Sequence, residues 1–139
     1  MIEGGCLCGR VRYKITADPL FALHCHCRDC QRASGTGHVP IMGVPKKSFS
    51  VVGETRSFAA AGGSGMKAIR NFCPQCGSLM FGTPEAAADL VTIYMGSLDD
   101  PSIRTPTYAQ FTRDRVGWDV IVGDLPEFHT VPPRDDNDA

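Results

Sequence analysis

No stretch of this 139-residue chain approaches the ~20 consecutive apolar residues that a membrane-spanning helix needs, so no membrane partner is expected. A charge surplus is missing too. Lys and Arg number 14 against 15 Asp and Glu, for a net charge of −1. A nucleic-acid-binding surface usually carries a basic excess, so nucleic acid is not an expected partner. Long uninterrupted helix-forming stretches are also scarce, because 15 Gly and 10 Pro break the chain into short pieces. That punctuation favours short strands and turns. The opening, Met1-Ile2-Glu3-Gly4-Gly5, has neither the basic n-region nor the apolar h-region of a secretory leader, so a soluble, cytoplasmic protein is expected.

The composition that remains is globular, with 42% hydrophobic and 21% charged residues. A chain this long buries roughly two-thirds of its unfolded surface, which allows a modest core that a metal would reinforce. Residues 11–15 alternate apolar and polar at the period of a half-buried strand. Residues 20–27, 39–44, 49–52, 67–72, 78–81, 90–95 and 118–122 also read as strands, and one more starts at 56–58. Residues 59–65 are small and Gly-rich and read as a loop. Short helices are predicted at 27–33 and 84–88. Strands at such short intervals point to a mostly β fold of stacked antiparallel sheets with short helices. One domain is expected over residues 1–131. Residues 132–139 are Pro-rich, then acidic, and are expected to form a disordered tail.

Seven cysteines stand out against this background, as Cys6-Leu7-Cys8, Cys25-His26-Cys27-Arg28-Asp29-Cys30 and Cys73-Pro74-Gln75-Cys76-Gly77. In a reducing compartment such clusters bind metal or do chemistry more readily than they form disulfides, and an odd count leaves one thiol over. In Cys73-Pro74-Gln75-Cys76-Gly77 a tight turn aims two thiolates at one ion, with Gly77 free to take positive φ. Structural zinc needs four ligands in a tetrahedron. On an extended chain Cys6 and Cys8 point to one face and can supply the other two. Cys25, Cys27 and Cys30 then remain, and three ligands with one free position describe a catalytic zinc. A second partition pairs Cys27 and Cys30 with Cys73 and Cys76, as in a zinc ribbon. Spacing alone leaves both open.

The motifs carry a resemblance. Gly5-Cys6-Leu7-Cys8-Gly9-Arg10-Val11-Arg12-Tyr13, His24-Cys25-His26-Cys27-Arg28-Asp29-Cys30-Gln31-Arg32, Phe72-Cys73-Pro74-Gln75-Cys76-Gly77 and Gly96-Ser97-Leu98-Asp99-Asp100-Pro101 resemble, in order, the glutathione-dependent formaldehyde-activating enzyme and centromere protein V domain family. Trp118 and Asp124-Leu125-Pro126 are similar to the family's C-terminal segment. The resemblance implies an Mss4-like zinc-bound fold, and two zinc ions per chain. It implies a structural ion on Cys6, Cys8, Cys73 and Cys76, and a catalytic one on Cys25, Cys27 and Cys30. It also implies a carbon–sulfur lyase that forms or cleaves an S-hydroxymethylglutathione-like adduct, with glutathione or another small thiol and a small aldehyde as partners. After Pro101 the chain departs from the family, with Ala109-Gln110-Phe111 in place of a His-plus-aromatic pattern.

Three thiolates on one Zn²⁺ leave a net charge of about −1, so nearby cations would help the chemistry. Arg28, Arg32 and Arg70 flank the cysteine motifs, and Arg32 or Arg70 is expected to bind a substrate carboxylate. His24 and His26 read as supporting or core residues, while His38 and His129 have no supporting constellation. Asp99 and Asp100 read as turn formers beside Pro101. A zinc-stabilised module that binds a thiol or a protein without turnover is the alternative from another functional class.

Overall fold

The computed structural model of the chain describes residues 1–61 and 65–133. Ten strands and one helix follow in order: β1 (Ile2–Gly5), β2 (Arg12–Ile15), β3 (Phe21–Cys25), α1 (Arg28–Ser34), β4 (Val39–Pro45), β5 (Phe49–Val52), β6 (Arg56–Ala61), β7 (Lys67–Phe72), β8 (Leu79–Gly82), β9 (Leu90–Tyr94) and β10 (Ala109–Gln110). A three-stranded sheet runs β1-β2-β5 and a seven-stranded sheet runs β10-β3-β4-β9-β8-β7-β6. No described helix is long and apolar enough to cross a membrane.

The mostly β expectation holds, and the particulars differ in four places. The small-residue segment at 59–61 continues β6 because it pairs with β7, Ala59 opposite Ile69 and Ala61 opposite Lys67. Residues 62–64 of that expected loop, and residues 134–139 of the expected tail, lie outside the described residues. Residues 84–88 form successive tight turns in place of a helix, Ala87 N donating to Pro84 O and Leu90 N to Ala87 O. Five residues are too few to repay helix nucleation. Residues 118–122 are not a strand: Trp118, Val120 and Val122 are 73%, 76% and 94% exposed, so no sheet face gains by pairing them. One pairing between the named strands is parallel: β10 lies beside β3 with Ala109 opposite His24 and Gln110 opposite Cys25.

Strand alternation divides the large sheet into two faces. Cross-strand register aligns Ala22, Met42, Ile93 and Phe81 on one face, and Leu23, Ile41 and Tyr94 on the other. The first face packs with Tyr13 and Ile15 of β2, and with Val11 just before that strand, into the main core. The second face forms a smaller cluster that contains Cys25 and Cys30 along with Leu23, Tyr94 and Phe111. Core and cysteine site are therefore back to back on the same strands.

The two sheets meet closely at Gly4. A Cβ there would fall 2.2 Å from Tyr13 Oη and 2.6 Å from the Ser97 carbonyl oxygen. Tyr13 is fully buried, and its hydroxyl is 2.7 Å from Ser97 Oγ. Ala in place of Gly4 must break that contact or move backbone, so Gly4→Ala is expected to destabilise by about 1–3 kcal/mol. Urea unfolding measures this, and an unchanged midpoint would refute the close approach.

Candidate metal centres

Two knuckles from distant parts of the chain build the first cysteine cluster. Cys6-Leu7-Cys8 is a turn and not the expected extended segment: Gly9 N donates to Cys6 O at 3.1 Å, and Gly9 takes φ +80°. The second knuckle matches its reading, with Gly77 at φ +74° donating to Cys73 O at 2.8 Å. Leu7 N donates to Ser78 Oγ at 3.0 Å and so joins the knuckles directly. Donor atoms of Cys6, Cys8, Cys73 and Cys76 all lie within 4.8 Å of one another. Cys6 Sγ and Cys8 Sγ are 3.5 Å apart, and Cys8 Sγ and Cys73 Sγ 3.8 Å. A tetrahedron with Zn–S bonds of about 2.3 Å has edges of about 3.8 Å, so the set is compatible with zinc. Val11 N donates to Cys6 Sγ at 3.2 Å, and the Ser78 hydroxyl and backbone N–H pull the Cys76 thiol down to about 5. Both effects favour thiolate, the ligand form.

The second cluster gathers where β3 ends and α1 begins. Cys25 is the last residue of β3, Cys27 is the N-cap of α1, and Cys30 lies in its first turn. Cys27 Sγ accepts from Cys30 N at 3.3 Å. The three sulfurs lie within 4.8 Å of one another, and among the described residues no fourth Cys, His or carboxylate donor joins them. Hydrogen bonds from the Cys25 and Cys30 thiols hold Cys27 far below its ordinary range. The same interaction pushes Cys25 up to about 11. Two further groups reach the sulfurs. Gln110, brought alongside Cys25 by the parallel pairing, donates from Nε2 to Cys25 Sγ at 3.7 Å. Arg70, buried on β7, donates to Cys30 Sγ at 3.8 Å.

Cys25 and Cys30 are buried, and Cys27 opens on a cleft of about 320 Å³ lined also by Arg28, Asp29, Ala61, Phe111, Arg113 and Asp114. Gln31 braces this mouth, donating to His26 O at 2.7 Å and Asp114 O at 2.9 Å. Phe111 is the one non-glycine residue with positive φ among the described residues, at φ +53°. Arg32 is exposed in the last turn of α1 and does not line the cleft. Asp100 does form the expected turn, accepting from Ser102 N, while Asp99 pairs with Arg12.

His38 has the constellation that its sequence context did not reveal. Its Nδ1 lies 2.6 Å from Asp119 Oδ2, and its ring centroid lies 4.8 Å from that of His24 and 5.1 Å from that of His26. Neither Asp119 nor Gln110, Phe111 and Arg113 was singled out as a site residue. Only the departure at Ala109-Gln110-Phe111 offered a signal for that region.

The charge distribution over the three sulfurs makes a chemical test direct. In metal-free protein, iodoacetamide is expected to alkylate Cys27 before Cys25 and Cys30, because Cys27 is both the thiolate and the most open of the three. Peptide mapping at partial modification reads the order, and Cys25 or Cys30 reacting first would overturn it.

Comparison with known proteins agrees with this arrangement. A crystal structure of a Rhodobacter sphaeroides protein superposes with a TM-score of 0.57 at 18% identity, covering 90% of this chain and 98% of that one, so the fold is shared. No curated protein matches the chain. The family model described as glutathione-dependent formaldehyde-activating enzyme matches residues 1–114, which include all seven cysteines and stop short of Trp118. On that match the chain belongs to the glutathione-dependent formaldehyde-activating enzyme family.

Proposed function

We propose that the chain is a zinc-dependent carbon–sulfur lyase-type enzyme that joins glutathione to a small aldehyde, or cleaves the adduct, at Cys25, Cys27 and Cys30. The observation that carries this reading is a three-sulfur set without a fourth donor among the described residues, one sulfur of which opens on a charged cleft. Zinc held there would supply an open position and lower the pKa of a thiol bound at it. The closed set on Cys6, Cys8, Cys73 and Cys76 is proposed to hold a second, structural zinc.

The remaining groups have complementary tasks. Arg70 and Gln110 donate to Cys30 and Cys25, spreading the negative charge that three thiolates bring. Less charge would then fall on any ion that the three sulfurs hold. Glutathione carries two carboxylates and one ammonium at neutral pH. The cleft offers Arg28 and Arg113 for the carboxylates, and Asp29 and Asp114 for the ammonium. Arg32 stands four residues beyond Arg28 on α1 and extends the same cationic edge. Arg70, expected from the sequence to take a carboxylate, serves the sulfurs in this proposal. In the adduct-forming direction the thiol sulfur bonds to the aldehyde carbon. The carbonyl electron pair moves to oxygen, which takes a proton, and nothing is oxidised.

Mixing glutathione and formaldehyde with catalytic amounts of zinc-loaded protein tests the reading, with adduct followed by NMR against the spontaneous rate. Acceleration is expected, and Cys27→Ser is expected to return the rate to background. No acceleration at full zinc content would instead favour a thiol-binding module without turnover. Arg113→Ala is expected to raise the KM for glutathione about tenfold with little change in kcat, the loss of one charge-assisted contact. An unchanged KM would remove Arg113 from the carboxylate site. Mild chelation is expected to lower zinc from two ions per chain to one, read by elemental analysis. Loss of both ions together would count against one open and one closed site.

A further inference from the structure

We propose that His26, His38 and Asp119 form a third metal site, separate from both cysteine sets, for a divalent transition ion of the kind that imidazole and carboxylate ligands suit, such as zinc, cobalt or nickel. The inference does not depend on the reaction proposed above.

Strand alternation creates the site. Cys25 and Cys27 turn to one side of the chain as β3 ends, so His24 and His26 turn to the other. The β3–β4 register pairs His24 with Pro40 and Cys25 with Val39. Continued by one residue, it brings His26 opposite His38. Asp119 arrives from the irregular segment near the C-terminal end, 81 residues beyond His38. One donor atom from each of the three residues lies within 4.8 Å of the others. Asp119 Oδ2 is 2.6 Å from His38 Nδ1 and 3.4 Å from His26 Nδ1. Ligand atoms on a tetrahedral zinc with bonds near 2.0–2.1 Å stand about 3.4 Å apart. The His26–Asp119 spacing already has that value. The His38 contact would lengthen by less than about 1 Å as its hydrogen bond gave way to coordination.

A second observation points to a ligand. His26 is wholly buried, yet neither ring nitrogen makes a well-formed hydrogen bond: Asp119 Oδ2 stands 3.4 Å from Nδ1, and the Gly37 backbone is the other polar group that reaches the ring. Buried polar atoms are almost always paired, and leaving one unpaired costs stability. Asp119 Oδ2 is committed to His38, so a cation between the rings would pair one ring nitrogen of His26 and share the carboxylate. The carboxylate is seated for this role against bare backbone: a Cβ on Gly37 would fall 2.6 Å from Asp119 Oδ2. Arg115 brings a positive charge near His26, and Glu127, 2.7 Å from Arg115, offsets it. His38 is the side of the site nearest solvent. His38 lines an opening of about 680 Å³, with Ser34, Thr36 and Tyr94 among its walls.

The test uses protein whose cysteine sets are already filled with zinc, titrated with Co²⁺ alone. A third equivalent is expected to bind with weak visible bands, no sulfur-to-cobalt charge-transfer band, and contact-shifted imidazole protons in the NMR spectrum. Asp119→Asn and His38→Gln are each expected to weaken that equivalent by more than about 100-fold, beyond what loss of an outer-shell contact does. Both are expected to keep two zinc ions. His38→Gln lies on the partly exposed side, so it reads out even if Asp119→Asn perturbs folding. The proposal is overturned if no third equivalent binds, if the bound cobalt shows sulfur charge transfer, or if His38→Gln binds as the parent does.

Discussion

Four sulfurs within 4.8 Å of one another repel once ionised, and a cation at their centre would let all four remain thiolates together. Without it the charge divides unevenly. The Arg10 backbone pulls the Cys8 thiol down, but burial and the neighbouring sulfurs drive it up to about 11, while Cys76 falls to about 5. This constraint reaches beyond the cluster. Cys6 and Cys8 follow β1 and precede β2 of the small sheet, whereas Cys73 and Cys76 lie between β7 and β8 of the large one. Among the described residues the two layers also meet through side-chain packing, the Tyr13–Ser97 contact, the Arg12–Asp99 ion pair and a bridge between Gly4 and Leu98. The sulfurs join at one point two layers whose connection would rest mainly on a modest core.

The end of β3 organises everything on the other side of the molecule. One residue of alternation separates Cys25 from His24 and His26, so the strand presents thiols to one face and imidazoles to the other. The register that buries Ala22 beneath the small sheet also puts Leu23, Ile41 and Tyr94 on the face of Cys25. Slipping β3 by one residue would exchange sulfurs and imidazoles as well as the core. Hydrophobic packing and donor placement are thus fixed by the same pairing.

Much of this was legible in the sequence because it is local. Cysteine spacing, Gly77 after the second knuckle and the alternation at 11–15 each report on a few consecutive residues, and each has its counterpart in the structure. The errors also have local causes. Pro84 followed by alanines looked helical, but the segment is too short to support a helix. The apolar residues near Trp118 looked like a strand, but nothing pairs with them and they face solvent. Contacts across long sequence separations left no local trace. The two-residue β10 is defined by distant partners, β3 on one side and Glu127 on the other, and Asp119 meets His38 across 81 residues. His38 accordingly read as isolated.

The walls of the cleft beside Cys27 come from Arg28 and Asp29 of α1, from Ala61 at the end of β6, and from Phe111, Arg113 and Asp114. Apart from Cys27 itself, none of these residues contributes a sulfur, and none belongs to the main core. Phe111 meets the cleft in a backbone conformation that glycine would adopt more easily. A lineage of such proteins can therefore remodel what the cleft admits one wall residue at a time, while the cysteines and the sheets that carry them stay as they are.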